Sequence, residues 1–306
     1  MSEPRKGERN FLGSAESPYS KGLMARALTA VGVKEDAAYE LARRTESDLA
    51  ARNEVSVDLD RLIELASEVV GSNQGPRAVR QLRRFRDLQE LDLPVILLVG
   101  GGTGTGKSTV ATEVAYRLGI TRVTSTDFVR QTMRAFFSKE FMPSIHYSSF
   151  EAGLGLTKAE EEESGDAALL GFLDQTRNVL TGVEAALQRA LDEGWSMVLE
   201  GVHLVPGMIA TEIREAVVVQ CVLAIQDEEI HRTHFWIRDA DSEGVRPVDR
   251  YIAGMPEIRM IQEYVLERAY RNDVPVVENE SQREAVGAVM NLVLEQAERA
   301  ARGVRE

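Results

Sequence analysis

The sequence predicts an α/β protein in which a parallel sheet carries helices on both faces, behind a small helical domain. Three observations point there. From Leu91 onward, short apolar runs alternate with helical segments, the pattern of strands joined by crossover helices. The runs at Pro94–Val99, Arg122–Ser125, Met197–Glu200, Val217–Ile225 and Val274–Val277 read as buried parallel strands. Ahead of Leu91 the apolar residues recur at helical spacing instead.

Taken in order, Met1–Phe11 is polar and is expected to fray. Leu23, Ala27, Leu28 and Val31 mark a first helix that Gly32 ends. Ala37, Ala38, Leu41, Ala42, Thr45 and Leu49 line one face of a second, and Asp58–Val70 forms a third. The stretch Gly71–Pro76 is rich in turn residues and reads as a break. Arg77–Leu88 then places Val79, Leu82 and Phe85 on one side of a helix. The expected division is a helical domain over 1–75, a linker helix over 76–90 and an α/β domain over 91–306. Within the last, Lys107–Leu118, Ala167–Glu193 and Pro256–Arg271 are the clearest helices, and Glu160–Glu163 reads as a solvated acidic patch.

A chain of 306 residues with 43% hydrophobic content can bury a core in each of two domains. Its formal net charge of -13 disfavours nucleic acid as a general partner, because phosphate backbones want a basic face. The single cysteine, Cys221, excludes an intramolecular disulfide, fits a reducing cytoplasm and sits in an apolar run that suggests a buried, inert thiol. Met1–Gly13 is polar and charged, so no secretory signal is expected, and no segment has the ~20 apolar residues of a membrane span. These features suggest a cytoplasmic protein and leave the oligomeric state open.

The strongest local signal is Gly101-Gly102-Thr103-Gly104-Thr105-Gly106-Lys107-Ser108, followed by Thr109. It fits G-x-x-x-x-G-K-[ST] between an expected strand and an expected helix, the context of a phosphate-binding loop. Glycines let the backbone wrap an anion with its N–H groups inward, and the following helix aims its positive end at the same point. Lys107 can span the β- and γ-phosphates of ATP, and the Ser108 hydroxyl can bind Mg2+.

Further candidates follow the next strands. Asp127 could orient or deprotonate an acceptor hydroxyl while Arg130 and Arg134 hold an anionic group; alternatively the segment is a capped helix start with solvated arginines. Glu200 closes an apolar strand at its carboxyl end, where an open parallel sheet keeps its ligand crevice, so it could bind Mg2+ through water or orient substrate. His203 nearby is as readily structural as catalytic. Arg232 and Arg238, with Arg246, Arg250 and Arg259 beyond, could close over a transferring phosphoryl group, although each is individually more often a solvated residue. His231 and His234 have a spacing that could hold a metal, but no cysteine and few carboxylates support that reading.

These residues resemble the 2-phosphoglycerate kinase family. The resemblance rests on Gly101–Thr109, on Ser125-Thr126-Asp127-Phe128-Val129-Arg130, on Glu200-Gly201-Val202-His203-Leu204-Val205-Pro206-Gly207, and on Ile258-Arg259 with Asn279. It covers nearly the whole chain. It implies a P-loop kinase fold with strand order 2-3-1-4-5, a closing lid, and Asn279 on the nucleotide side. The implied activity makes 2,3-bisphosphoglycerate from 2-phosphoglycerate and ATP. Asp127, Arg130, Arg134, Glu200 and His203 would then face a small phosphorylated or acidic metabolite. Other acceptors, such as an inositol phosphate, a sugar acid or a nucleoside, stay open, as does an ATP-sensing regulator without turnover. Residues Ser17–Leu49 are similar to an ATP-cone, a helical ATP-binding module that precedes the kinase domain in that family. A cone begins with a β-hairpin carrying part of its nucleotide site, whereas here only a short polar stretch precedes Tyr19.

Overall fold

The computed structural model describes residues 11–14, 16–156, 166–241 and 248–303, with the backbone alone at 238–241 and 303. The chain divides into two compact units, one of residues 1–92 with 290–306 and one of residues 93–289.

In the first unit, α1 (Lys21–Ala30) starts at Ser20, whose hydroxyl accepts from the Leu23 N–H at 3.4 Å. The second helix, α2 (Glu35–Arg52), ends at Asn53 in the left-handed conformation. Helix α3 (Leu59–Val70) is capped by Asp58, which accepts from the Arg61 N–H at 2.8 Å. Their apolar faces bury Met24, Leu28, Leu41 and Leu62. Phe11 and Leu12 are buried too, so the expected fraying does not reach them. Two backbone bonds hold that entry segment, Val57 N–H to the Leu12 carbonyl and Tyr19 N–H to the Val55 carbonyl, both at 2.9 Å.

The turn expected at Gly71–Pro76 is shorter than its composition suggests. Helix α4 (Gln74–Glu90) takes Gln74, Gly75 and Pro76 into its first turn, where proline's missing N–H costs nothing. Gly75 has a packing reason: a Cβ there would lie 2.6 Å from the Ala66 backbone, so α3 and α4 touch through it. Ala78, Val79, Leu82, Phe85 and Leu88 of α4 are buried, and α4 therefore belongs to the front unit rather than standing as a linker. That unit also includes residues 290–306; Gln81 donates to Asn291 Oδ1 at 2.7 Å and Arg84 pairs with Glu298 at 3.3 Å.

The second unit is a five-stranded, all-parallel sheet with helices around it. Its strands are β1 (Val95–Gly101), β2 (Val123–Ser125), β3 (Met197–Glu200), β4 (Val217–Ala224) and β5 (Val276–Glu278). The spatial order is β2-β3-β1-β4-β5, as the family resemblance implies. The helices are α5 (Lys107–Leu118), α6 (Thr126–Phe136), α7 (Ala167–Asp192), α8 (Glu228–Asp241), α9 (Val248–Ala253), α10 (Met255–Arg271) and the start of α11 (Gln282–Gly303), whose residues from Met290 on belong to the first unit. One cluster packs Ile96, Leu98, Leu199 and Val218 against Val179, Val183 and Leu187 of α7. Another packs Val222 and Ala224 against Ile258, Ile261 and Val265 of α10, with Phe172 and Phe235. Cys221 is fully buried in β4, and burial pushes its thiol up to about 12. No described helix is long and apolar enough to cross a membrane.

The register brings three chain segments to one edge. Val99 of β1 pairs with Glu200 of β3, and Ser125 of β2 pairs with the same Glu200. The loops after β1, β2 and β3 therefore leave the sheet side by side at its carboxyl edge, where open parallel sheets keep their ligands.

Candidate active site

The loop after β1 is held by geometry that only glycine gives cheaply. Gly101, Gly104 and Gly106 have φ of 134°, 85° and 81°. A Cβ at Gly101 would come within 2.2 Å of the Leu223 carbonyl oxygen, and one at Gly106 within 2.3 Å of Asn279 Nδ2. The Gly102 carbonyl accepts from Lys107 Nζ at 2.6 Å and from Thr105 Oγ1 at 3.0 Å. Lys107 opens α5 and is itself buried.

A cavity of about 360 Å³ lies over this loop. Thr103, Gly104, Gly106, Lys107, Ser108 and Thr109 line its floor. Ser125, Asp127, Glu200, Gly201 and Val202 form one wall, and His234, Ile237, Asn279 and Gln282 another. Ser108 Oγ donates to Glu200 Oε1 at 2.9 Å, joining the end of the loop to the end of β3. A hydroxyl and a carboxylate together are hard oxygen ligands of the kind Mg2+ prefers. Among the described residues, no group of three or more His, Cys, Asp or Glu side chains gathers as a metal cluster.

Asp127 sits in the first turn of α6, which Ser125 caps by accepting from the Phe128 N–H at 3.0 Å. Crowding by protein raises its pKa, but His203, Arg130 and Lys107 outweigh that and hold the carboxyl below its ordinary range. Arg130 is buried behind it. Its Nε donates to Asp127 Oδ1 at 3.2 Å, and Nη1 donates to the carbonyls of Ile145 and Tyr147 at 2.9 and 2.7 Å. Arg134 does not line the cavity; it bonds Gln131 at 3.0 Å, one turn back.

His203 is fully buried and lies behind the cavity wall. Gln175 Nε2 donates to the carbonyls of Ser144 and Tyr147 at 2.6 and 3.1 Å, so its Oε1 must be the acceptor facing His203 Nε2 at 2.9 Å. His203 is thus protonated at Nε2, and Nδ1 accepts from the Thr126 hydroxyl at 2.7 Å. Burial pushes its pKa down to about 4; the Asp127 carboxylate pulls the other way, and Arg130 and Lys107 add to the lowering. Gly201 allows this packing. A Cβ there would lie 1.8 Å from Thr126 Oγ1, so the β3 loop crosses the start of α6 at backbone contact.

Of the candidate arginines beyond β4, the three whose side chains are described, Arg232, Arg250 and Arg259, are engaged elsewhere. Arg232 pairs along α8 with Glu228 at 2.6 Å and with Glu229 at 3.7 Å and does not line the cavity. Arg259 donates to the carbonyls of Ile225 and Gln226, and Arg250 binds Glu151 and Ser148. The side chain of Arg238, all of Arg246 and the Glu160–Glu163 patch lie outside the described residues. Two wall residues, Ile237 and Gln282, carry no motif and had no signal in the sequence.

Three comparisons with known proteins bear on this arrangement. The chain is 35% identical over 279 residues to a 2-phosphoglycerate kinase of Methanopyrus kandleri, covering 91% of this chain and 84% of the relative. It is 38% identical over 263 residues to that of Methanothermobacter thermautotrophicus, covering 86% and 85%. The chain belongs to the 2-phosphoglycerate kinase family. A relative of the same description in Pyrococcus furiosus is 33% identical over 283 residues, covering 92% of this chain and 91% of the relative. No family-level sequence model matches the chain. Membership in the 2-phosphoglycerate kinase family makes this an ATP-dependent phosphotransferase acting on a hydroxyl.

Proposed function

We propose that the enzyme transfers the γ-phosphoryl group of ATP to the free C3 hydroxyl of 2-phosphoglycerate, releasing ADP and 2,3-bisphosphoglycerate. The observation that carries this reading is the opposition of two groups across one cavity. A cationic phosphate loop ending in Lys107 and Ser108 faces an ionised carboxylate, Asp127, on the next strand's helix. The family of relatives supplies the acceptor.

In this reading the amides of Gly101–Thr109 and the Lys107 ammonium take the β- and γ-phosphates. Ser108 and Glu200 would hold Mg2+, which offsets phosphate charge when bound. Asp127 orients the hydroxyl and accepts its proton. Because the transition state is loose, a carboxylate with a low pKa suffices, and positioning supplies most of the rate. Arg130 fixes Asp127 through Nε; its Nη2, outside the bonds described above, would meet the acceptor's carboxylate or phosphate, with the charge of Arg134 a turn further on. His203 acts on the acceptor side by holding Thr126. Arg232 would have to leave Glu228 to reach a phosphate, and exposed pairs of this kind hold weakly. The front unit is read as an ATP-cone-like helical domain, and the reducing cytoplasm as the site of action.

The test is ADP release dependent on acceptor, run with 2-phosphoglycerate, 3-phosphoglycerate, glycerate and an inositol phosphate. Phosphorus NMR should show a new phosphoester on C3 of 2-phosphoglycerate. Preference for any other acceptor would refute the substrate assignment, and no acceptor-dependent turnover would refute the kinase.

A further inference from the structure

The carbonyl oxygens of Gly102, Thr103, Gly104 and Thr105 are four in succession, and each is occupied by a side-chain donor. Gly102 has Lys107 and Thr105, as described. The Thr103 carbonyl faces His231 Nε2 at 2.7 Å, the Gly104 carbonyl faces His234 Nδ1 at 3.2 Å, and the Thr105 carbonyl accepts from Asn279 Nδ2 at 2.8 Å. A carbonyl can only accept, so His231 carries its proton on Nε2 and His234 on Nδ1. The N–H groups of Thr103, Gly104, Thr105 and Gly106 have no backbone partner among the described residues. Fixing the carbonyls of a loop in one direction leaves its amides pointing in the other, the condition for an anion-binding nest.

The contacts are built closely. His231 is fully buried, stacks on Phe235 with ring centroids 5.3 Å apart, and leaves Nδ1 without a hydrogen-bond partner among the described residues. Phe235 in turn stacks on Tyr251 at 5.0 Å. A Cβ on Gly104 would lie 2.4 Å from Phe235 and 3.0 Å from His231 Nε2, so α8 lies directly against the loop. Asn279 is buried, and its backbone N–H is tied to the Ala224 carbonyl at 2.8 Å at the end of β4. An orphaned buried nitrogen is costly. His231 therefore occupies a position that packing alone would give to a larger apolar ring.

We propose that His231, His234 and Asn279 are positioning residues that shape the phosphate loop for the triphosphate by capping its outward carbonyls, without touching the nucleotide through the capping atoms. This deepens the kinase reading above and rests on it. The inference also gives the two histidines a use that neither metal binding nor proton transfer requires.

The test compares His231→Phe, which keeps the ring stack and removes the donor, with His231→Gln, whose amide can replace it. The probes are ATP and tripolyphosphate, each with magnesium; the second has the phosphates and no base or ribose. Losing the cap should weaken both by the same factor, roughly 10-fold or more. The KM for 2-phosphoglycerate should stay within about twofold, and His231→Gln should recover most of the loss. Unchanged binding of both probes by His231→Phe would overturn the proposal, as would a loss confined to ATP, which would assign α8 to the base. Equal impairment and equally lowered Tm in both variants would reduce His231 to packing. If His231→Phe does not fold, His234→Phe, at a less buried position, and Asn279→Leu carry the same comparison. A wild type that binds neither probe would sink the nucleotide reading, and this inference with it.

Discussion

On the proposed nucleotide side of the cavity, the groups that would meet phosphate come from one unbroken stretch, Gly101–Thr109, and most of them are backbone. On the acceptor side, Asp127 is held by Arg130, which is held by the carbonyls of Ile145 and Tyr147. Tyr147 is held by Gln175, and Gln175 by His203. The first half needs glycine at a few dihedral positions, with His231, His234 and Asn279 against its carbonyls. The second is a chain of side chains from distant parts of the sequence, in which each link has a buried polar partner to orphan. Change on the second side therefore passes from one buried partner to the next, whereas the loop's path is set mainly by its own glycines.

The comparison can be broken from the nucleotide side first. Lys107→Ala should cut phosphoryl transfer ~100-fold or more while leaving the fold intact, since the ammonium acts on developing phosphate charge. Steady-state kinetics and a thermal melt decide it; a folded mutant keeping most activity would remove the loop from catalysis. Next, Glu200→Gln should leave Ser108 an acceptor of the same shape without the charge, and raise the magnesium requirement roughly 10-fold or more. A magnesium titration of the rate that is unchanged would detach Glu200 from the metal.

On the acceptor side, Arg130→Lys should raise the KM for 2-phosphoglycerate roughly 10-fold with the KM for ATP unaltered, because the three donors of a lysine cannot serve Asp127, two carbonyls and the acceptor together. Weakened ATP with a spared acceptor would place Arg130 on the nucleotide side. The smallest effect concerns stability against pH. The His203 pKa lies at about 4 in the folded protein against 6.5 when exposed. Its neutral form is the folded one, so the unfolded chain binds the extra proton. That contribution is fully present above pH 6.5, fades as pH falls, and is gone below about 4. Thermal melts across that window should fall more steeply for wild type than for His203→Gln. Parallel slopes would mean that His203 does not carry the titration. His231, also lowered to about 4 chiefly by burial, remains in both proteins and cancels in the comparison.

What could be read from the sequence follows the same division. The glycine loop was legible because its chemistry is local: a strand, positive-φ glycines and a helix start are contiguous. The sheet was legible because its strands are continuous apolar runs. Gln175 was not, although a polar residue on the buried face of α7, between Phe172 and Val179, was a signal to look for. The capping roles of His231 and His234 were hidden because they depend on α8 folding back onto a loop more than a hundred residues earlier. At Gly71–Pro76, composition misled on extent: glycine and proline there serve close packing and a first helical turn rather than a long break.

The solitary thiol has a practical consequence. Cys221 is wholly enclosed in β4 and protonated at any ordinary pH, so the native fold offers maleimides nothing to react with. A cysteine introduced at an exposed position would therefore be labelled alone. Trp236→Cys on α8 and Phe128→Cys on α6 stand on the two walls' own helices, both well exposed. A spin label or dye pair at these positions would follow the distance between the helices as nucleotide and acid are added, without the native cysteine having to be removed.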